Sequence, residues 1–294
     1  MHKRQNTTEK MMANKDVLLA LILALSLISF FLCLKLIPGR ASGSMHAFLR
    51  ASAMLLFLCM PSFFYLHFTD TREDQVLGHL PRASMLWRAI LFALGALSFG
   101  IFAHRLAFSG VLGKVFLFSL FNFYKDFSLA SLGGFLTYAF VSAFLPFAVL
   151  YSRCSSASAV SAVLSMGLLY AALGFSLLGA PVLFLFGCLL ALLRMQSASF
   201  LAVFSCNLAF LFGAYGDRVG VLSFLQFKIP TWGTLALFAG VGLLLLCASI
   251  DYRFFGKLSK KSDSLSKRAW TPWVFVTLLL LGAVLVAILL GGKR

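Results

Sequence analysis

His104 and Arg105 stand side by side in ALSFGIFAHRLAF, a stretch from 96 to 108 that is otherwise almost entirely apolar. A charged arginine is costly at membrane depth and is usually retained for a reason. One interpretation is a membrane anchor, in which basic and aromatic side chains fix the height of a helix. The other is an outer-leaflet site for a phosphorylated lipid or an anionic solute, because the guanidinium fork matches phosphate oxygens. Lys114 and Lys125, later in the sequence, would add positive charge to the anchor or to the anion site.

Three uncharged polar side chains lie in the middle of apolar runs: Tyr138, Tyr170 and Asn207. An amide facing lipid is costly, so Asn207 either hydrogen-bonds to a neighbouring helix or contributes a polar contact to a substrate path. The 9 carboxylates all fall at the ends of apolar runs or between them. Transport coupled to a buried carboxylate needs such a group near the middle of the membrane, so we do not expect that mechanism.

The segment TDTREDQVLGHLPRASMLWR, residues 69–88, is the densest polar stretch of the first half and combines carboxylates with His79 and arginines. Carboxylates and a histidine can bind a divalent metal, but a solvated loop with local ion pairs is the interpretation that we favour. The cysteines include no Cys-x-x-Cys pair. The serines of the fifth apolar run have no histidine or lysine base nearby in sequence. We therefore expect no catalytic residue, no metal and no cofactor.

A partial pattern in the same region resembles the CAAX-type intramembrane metalloproteases. That family has a double-acidic motif followed by Arg, then Phe-x-x-x-His on the next helix and a later histidine. The counterparts here are Glu73, Asp74, Arg82 and His104, although Phe99 precedes His104 by one residue too many and no later histidine follows. The resemblance implies an intramembrane peptidase, which is the second alternative for the function.

The elements that must position these residues are membrane helices. The chain has 294 residues, of which 61% are hydrophobic and only 12% charged, too few polar side chains to cover a soluble globule. A spanning helix needs about 20 mostly apolar residues. We predict an all-α, polytopic transmembrane helical bundle with nine spans, near 16–37, 48–68, 87–108, 128–151, 157–178, 181–194, 198–216, 231–250 and 272–291.

The distribution of positive charge predicts the orientation of these spans. The chain has 25 lysines and arginines, and most of them fall on the inner side if the N-terminus is inside and the C-terminus outside. This holds only if 110–126 does not cross the membrane, so we interpret that segment as an interfacial or re-entrant helix. A bacterial cytoplasmic membrane is the expected location. The whole chain, 1–294, is then one membrane domain with a basic tail, 1–15, and a hydrophilic inner loop, 256–270.

Small residues recur at four-residue spacing in several spans, and such ridges let helices approach closely. The clearest ridge includes Ser161 and Ser165 in the fifth span, and weaker ones are Ala96–Gly100 and Ala236–Gly240. The fifth span is therefore expected to be a central helix of the bundle.

The number of spans and the absence of a hydrophilic domain favour a transporter, permease-like or lipid-handling subunit for an anionic or lipidic substrate. A non-catalytic scaffold or assembly subunit is the first alternative. The net charge of +16 indicates contact with anionic lipid headgroups rather than nucleic acid. Partner membrane subunits are expected, and because no phosphate-binding loop occurs in the sequence, an ATP-driven version needs a separate ATPase.

Overall fold

The structure is a computed structural model, and it describes residues 2–36, 43–80, 83–108, 129–154, 159–174, 180–219, 231–249 and 282. Within these ranges the chain is helical apart from short turns, as the sequence predicts. The helices, including two π-helical segments (π1 and π2), are α1 His2–Leu36, α2 Gly43–Met54, π1 Leu55–Cys59, α3 Met60–Phe68, α4 Glu73–Leu77, α5 Ala83–Phe108, α6 Leu129–Phe144, π2 Leu145–Leu150, α7 Tyr151–Cys154, α8 Ala159–Leu173, α9 Ala180–Ser197, α10 Phe200–Val219 and α11 Thr231–Ser249.

The described part of the chain contains seven helical segments that are long and apolar enough to cross a membrane. The protein is therefore an all-α integral membrane protein. An eighth apolar helix, Val160–Leu173, is shorter. The number of nine spans is not confirmed, because the predicted span 272–291 lies outside the described residues except for 282. The seven segments are Val17–Leu34, Phe48–Phe68, Met85–Leu106, Leu132–Arg153, Ala180–Ser197, Phe200–Asp217 and Trp232–Ser249.

The break between the fifth and sixth spans lies where the sequence predicts it, but the lengths of the two helices differ from the prediction. We expected a long fifth span and a short sixth one. Instead, α8 has 15 residues and α9 has 18. Pro181 lies in the first turn of α9, where a missing N–H costs nothing, and the helix begins at Ala180, one residue before the predicted start.

The basic residues ahead of the first apolar run belong to α1. We treated residues 1–15 as a basic extension ahead of the first span. In the structure α1 begins at His2 and continues without interruption into the apolar run.

Contacts between distant residues define the two ends of the bundle. At one end, the hydroxyl of Tyr65 donates to the carbonyl of Lys15 at 3.2 Å, and the Arg194 side chain donates to the carbonyl of Phe147. The amide of His79 donates to the carbonyl of Ala198 there as well. We call this the Arg194 end.

At the opposite end, which we call the Asp217 end, α5 meets the last turns of α10 through His104 and Asp217. The ring of Phe135 near the start of α6 stacks on Tyr215 with centroids 5.0 Å apart. α11 runs antiparallel to α5, because Phe238 lies against Arg105 near the end of α5, whereas Gly242, later in α11, lies against Gly95, earlier in α5. The chain therefore leaves α11 at the Arg194 end.

These positions test the predicted alternation of the spans. The C-terminal end of α5 and the N-terminal end of α6 both lie at the Asp217 end, as the predicted topology requires of the residues that flank 110–126. The segment 110–126 itself lies outside the described residues, and so does 256–270, so their structures stay predictions. Arg72, Arg153 and Arg194 lie at one end of the bundle, and the side of the membrane that this end faces stays a prediction.

Glycines allow α5 to approach both of its main neighbours. A Cβ on Gly100 would lie 2.0 Å from the carbonyl oxygen of Phe210 in α10. A Cβ on Gly95 would lie 3.1 Å from the carbonyl oxygen of Gly242 in α11. The predicted ridge on α11 was wrong in its register, because Gly240 has nothing within 4 Å of an added Cβ. Gly242, two positions along the helix, faces α5.

The serine ridge of the fifth span lies in the interior, as expected. Ser161, Ala162 and Ser165 are 9% exposed or less. A further glycine contact joins α8 to α9, since a Cβ on Gly187 would lie 3.0 Å from the Cα of Gly167.

Candidate functional site

The polar residues in the middle of the bundle bond to one another across three helices. The hydroxyl of Tyr170 in α8 donates to Oδ1 of Asn207 in α10 at 2.7 Å. Nδ2 of Asn207 donates to the carbonyl of Ala139 at 2.8 Å and to Oγ of Ser142 at 2.9 Å, both in α6. Asn207 is 0% exposed. Its donors and acceptor are thus satisfied by interhelical bonds, the first of the two interpretations that the sequence left open.

Tyr138 makes a similar internal contact closer to the Asp217 end. Its hydroxyl donates to the carbonyl of Leu173, the last residue of α8, at 3.1 Å. A carbonyl in the last turn of a helix has no partner within the helix, so this bond caps α8 from a neighbouring helix.

His104 and Arg105 share one carboxylate at the Asp217 end. Nδ1 of His104 lies 2.7 Å from Oδ2 of Asp217, and Nη2 of Arg105 donates to Oδ1 at 2.9 Å. Nε of Arg105 also donates to this carboxylate at 3.2 Å. The side chains are 11%, 14% and 6% exposed. Arg105 therefore forms a bidentate ion pair with the carboxylate of Asp217.

Phe238 completes the surroundings of this guanidinium. The Cζ of Arg105 lies 5.0 Å from the centre of the Phe238 ring, within the range of a cation–π contact. One charged cluster thus joins α5, α10 and α11. Because the sequence placed Asp217 only at the end of a span, its pairing with His104 and Arg105 was not predicted.

Arg194 is the second enclosed arginine, and its surroundings are different. It lies near the end of α9 and is 0% exposed. Nε donates to the carbonyl of Phe147 at 2.9 Å, and Nη2 donates to the carbonyl of Val76 at 2.9 Å. Its Cζ lies 4.4 Å from the centre of the Tyr151 ring. Among the described residues, Nη1 has no hydrogen-bond partner.

The carbonyl that receives Nε belongs to a distorted part of the sixth helix. Leu145–Leu150 is π-helical, and all six residues are buried. Pro146 lacks an N–H and cannot bond to the carbonyl one turn earlier, which favours such a local widening of the helix. π-Helical segments are frequent at functional sites because they re-aim backbone and side-chain groups.

The other carbonyl belongs to α4, which covers Arg194 from outside the bundle. A Cβ on Gly78, the residue after α4, would lie 1.8 Å from the carbonyl oxygen of Ala198 and 2.6 Å from Nη1 of Arg194. Gly78 has φ of 72°, and Ala198 has φ of 50°. Only a residue without a side chain fits between α4 and the α9–α10 junction.

No described carboxylate forms an ion pair with Arg194. The acidic residues nearest in the chain to its covering segment are Asp70, Glu73 and Asp74, and all three side chains are exposed. Ser199, which pairs with Gly78 through the backbone, also has a hydroxyl without a partner in the described residues. Arg194 is therefore a buried cation held by two carbonyls and an aromatic ring.

The remaining candidates from the sequence do not gather into one site. Lys114 and Lys125 lie outside the described residues. Within the described ranges, no group of three or more His, Cys, Asp or Glu side chains is placed to hold a metal. Glu73 lies at the Arg194 end and His104 at the Asp217 end, so the partial protease pattern does not converge.

From the sequence, Arg194 is predicted only to add one positive charge at the inner side. The signal available was a single arginine three residues before the end of an apolar helix, ALLRMQS. An arginine there ordinarily extends to the headgroups, so only the structure shows that Arg194 is buried.

Comparison of the chain with protein-family models, with curated proteins and with solved structures gives no match.

Proposed function

We propose that this protein is a permease-like or lipid-handling membrane subunit whose substrate has an anionic group. The observation that supports this proposal is the uncompensated charge of Arg194. Burying a cation without a counter-anion costs roughly several kcal/mol, even after the surrounding protein relaxes. Ionisable residues that are kept inside membrane proteins commonly lie on substrate or ion pathways. A guanidinium is also the side chain best suited to grip a phosphate or carboxylate group.

The contrast with Arg105 explains why the proposal rests on Arg194. Both arginines are enclosed, but Arg105 donates to both oxygens of Asp217. A substrate anion at Arg105 would have to compete with that carboxylate. At Arg194 the competing acceptors are neutral carbonyls, which an anion replaces with a gain in electrostatic energy.

Native mass spectrometry of the full chain in detergent tests this function. We expect Arg194→Gln to retain about fivefold less anionic lipid than the unchanged protein, as loss of one charged fork implies. Arg72→Gln is the matched control, because Arg72 is exposed and its side chain caps no helix. Equal retention by the two variants and the unchanged protein would contradict an anionic substrate at Arg194.

The second candidate is a non-catalytic scaffold or assembly subunit. The observation that favours it is the closed core around Asn207, where polar groups bond to one another. The same spectra distinguish the candidates. A stoichiometric partner subunit that stays bound to both variants, with no lipid dependent on Arg194, would favour the scaffold, whereas a co-purifying ATPase subunit would identify the energy source of a transporter.

We also propose a bacterial cytoplasmic membrane as the location, with the N-terminus and the Arg194 end inside. The grouping of Arg72, Arg153 and Arg194 at one end supports this orientation through the positive-inside rule.

A further inference from the structure

We infer that residues 73–80, which we call the lid, cover a binding site for a phosphate group whose recognising side chain is Arg194. The ligand binds when the lid leaves the guanidinium. This inference rests on the proposed function and adds two things to it: the chemical class of the anion and the control of access to it.

The hydrogen bonds of Arg194 divide between the bundle and the lid. Nε is bonded to Phe147 in π2, within the buried core. Nη2 is bonded to the carbonyl of Val76 in the lid. Nη1 lies 2.6 Å from where a Cβ would stand on Gly78, so it also faces the lid. Release of the lid frees the Nη1–Nη2 edge, while the Nε bond still fixes the plane of the group.

That edge matches a phosphate group. Two parallel N–H donors on a planar guanidinium meet two oxygens of one phosphate, in the bidentate arrangement that arginine forms and lysine does not. The ring of Tyr151, 4.4 Å from Cζ, supports one face of the guanidinium. The hydroxyl of Ser199, buried beside Gly78 and without a partner among the described residues, is a further donor near the same place.

The lid is attached to the bundle by few contacts. Val76 is the buried side chain of α4, while Glu73, Asp74 and Leu77 are exposed. Beyond the bond from Arg194, the backbone bond from His79 to Ala198 holds the far end of the lid. A segment with so little buried apolar surface opens at a much smaller free energy than the whole bundle.

Gly78→Ala is the variant that keeps the lid from closing. The added Cβ would overlap the carbonyl of Ala198 and would stand at a positive φ that alanine disfavours. Gly240→Ala is the matched control, since nothing lies within 4 Å of a Cβ there. Val76→Ser is a second opening variant, because it weakens docking of the lid without any change in backbone conformation.

Two probes distinguish the sources of the phosphate. One is inorganic phosphate, and the other is short-chain phosphatidylglycerol in mixed detergent micelles, both titrated by calorimetry at constant ionic strength. We expect Gly78→Ala and Val76→Ser to bind the preferred probe about tenfold more tightly than the unchanged protein. Arg194→Gln combined with either opening variant should abolish binding, and Arg194→Lys should restore only a part of it. Binding of the lipid alone assigns a headgroup, and comparable binding of inorganic phosphate assigns a free anion.

Hydrogen exchange of the unchanged protein reports on the lid directly. The bound probe should speed exchange at the amides of residues 76–79, because the ligand takes the place of the lid. Slower or unchanged exchange there would overturn the lid, and so would opening variants that exchange faster at 76–79 but bind no more tightly. Binding that depends on Arg194 but not on the opening variants would overturn the lid and leave the proposed function standing. If no variant binds either probe in a way that depends on Arg194, the phosphate site is overturned. The proposed function is overturned as well if the native mass spectra also show no anionic lipid that depends on Arg194.

Discussion

Arg105 and Arg194 show how the same side chain takes different roles in one bundle. Arg105 faces a carboxylate and an aromatic ring, and its charge is neutralised within the chain. Arg194 faces two carbonyls and an aromatic ring, and its charge is not neutralised by the described residues. The first arrangement joins three helices, whereas the second is the basis of the anion site that we propose. We therefore expect loss of the Asp217 carboxylate to destabilise the protein. Release of the lid carbonyl from Arg194 should instead increase anion binding.

Asp217→Asn should destabilise the protein by about 3 kcal/mol, because it leaves Arg105 enclosed without its anion. The expected measurement is the free energy of unfolding in mixed micelles. Asp74→Asn, at an exposed position, is the control and should change it by less than about 0.5 kcal/mol. Arg105→Met combined with Asp217→Leu should destabilise less than Asp217→Asn alone, since both charges are then removed. An equal or larger loss in the double variant would contradict this account.

Ala198→Gly should stabilise the protein by about 1 kcal/mol. Ala198 has φ of 50°, a left-handed conformation that alanine adopts only with strain and glycine adopts freely. Ala236→Gly is the control, because Ala236 lies inside α11, beyond its first turn, and glycine there should destabilise the protein by about 0.5–1 kcal/mol. The same unfolding assay applies. A loss of stability in Ala198→Gly would show that the strain at Ala198 is not significant.

At the scale of elements, α5 is the helix around which the second half of the bundle packs. Its glycines lie against the backbones of α10 and α11, and its charged end pairs with both. Phe186 and Phe210, with ring centroids 4.1 Å apart, fill the space beside this contact. Close backbone approach is the principal source of helix association where lipid supplies no hydrophobic drive.

Gly100→Ala tests that close approach. The added methyl would overlap the carbonyl of Phe210, so α5 and α10 would have to separate, at a cost of about 2 kcal/mol. Gly240→Ala should be neutral or slightly stabilising, because the position is open and alanine is the better helix former. Thermal unfolding of both variants in the same detergent gives the comparison. Equal stability of the two would contradict the packing of α5 against α10.

The whole molecule has two chemically different ends. The Arg194 end contains the lid, the residues Arg72, Arg153 and Arg194, and the exit of α11. The Asp217 end contains the charged cluster and the helix ends that flank 109–128. The positive-inside rule supports our proposal that the Arg194 end faces the inside of the cell.

Labelling of single cysteines tests this arrangement in cells. In a background without the native cysteines, Asp70→Cys should be protected from a membrane-impermeant maleimide and Trp232→Cys should react. Both residues are exposed and lie at opposite ends of the bundle. Reaction of both or of neither would contradict the alternation of the spans. Reaction of Asp70→Cys alone would keep the alternation and reverse the orientation.

The sequence by itself determined the class of the protein and most of its spans. A run of apolar residues long enough to cross the membrane favours lipid whatever helices pack beside it. Local composition is therefore sufficient to identify a spanning helix. The break near Pro181 also depends on local residue types, and it was predicted.

Only the tertiary structure decided which side chains meet. Asp217 lies 112 positions from Arg105, and no spacing rule links them. The register of α11 was mispredicted for a related reason. That helix is apolar on all sides, so its sequence does not tell which face packs and which meets lipid. Burial of Arg194 likewise depends on α4 covering it, because rotation of each helix about its axis is set by its partners rather than by its own residues.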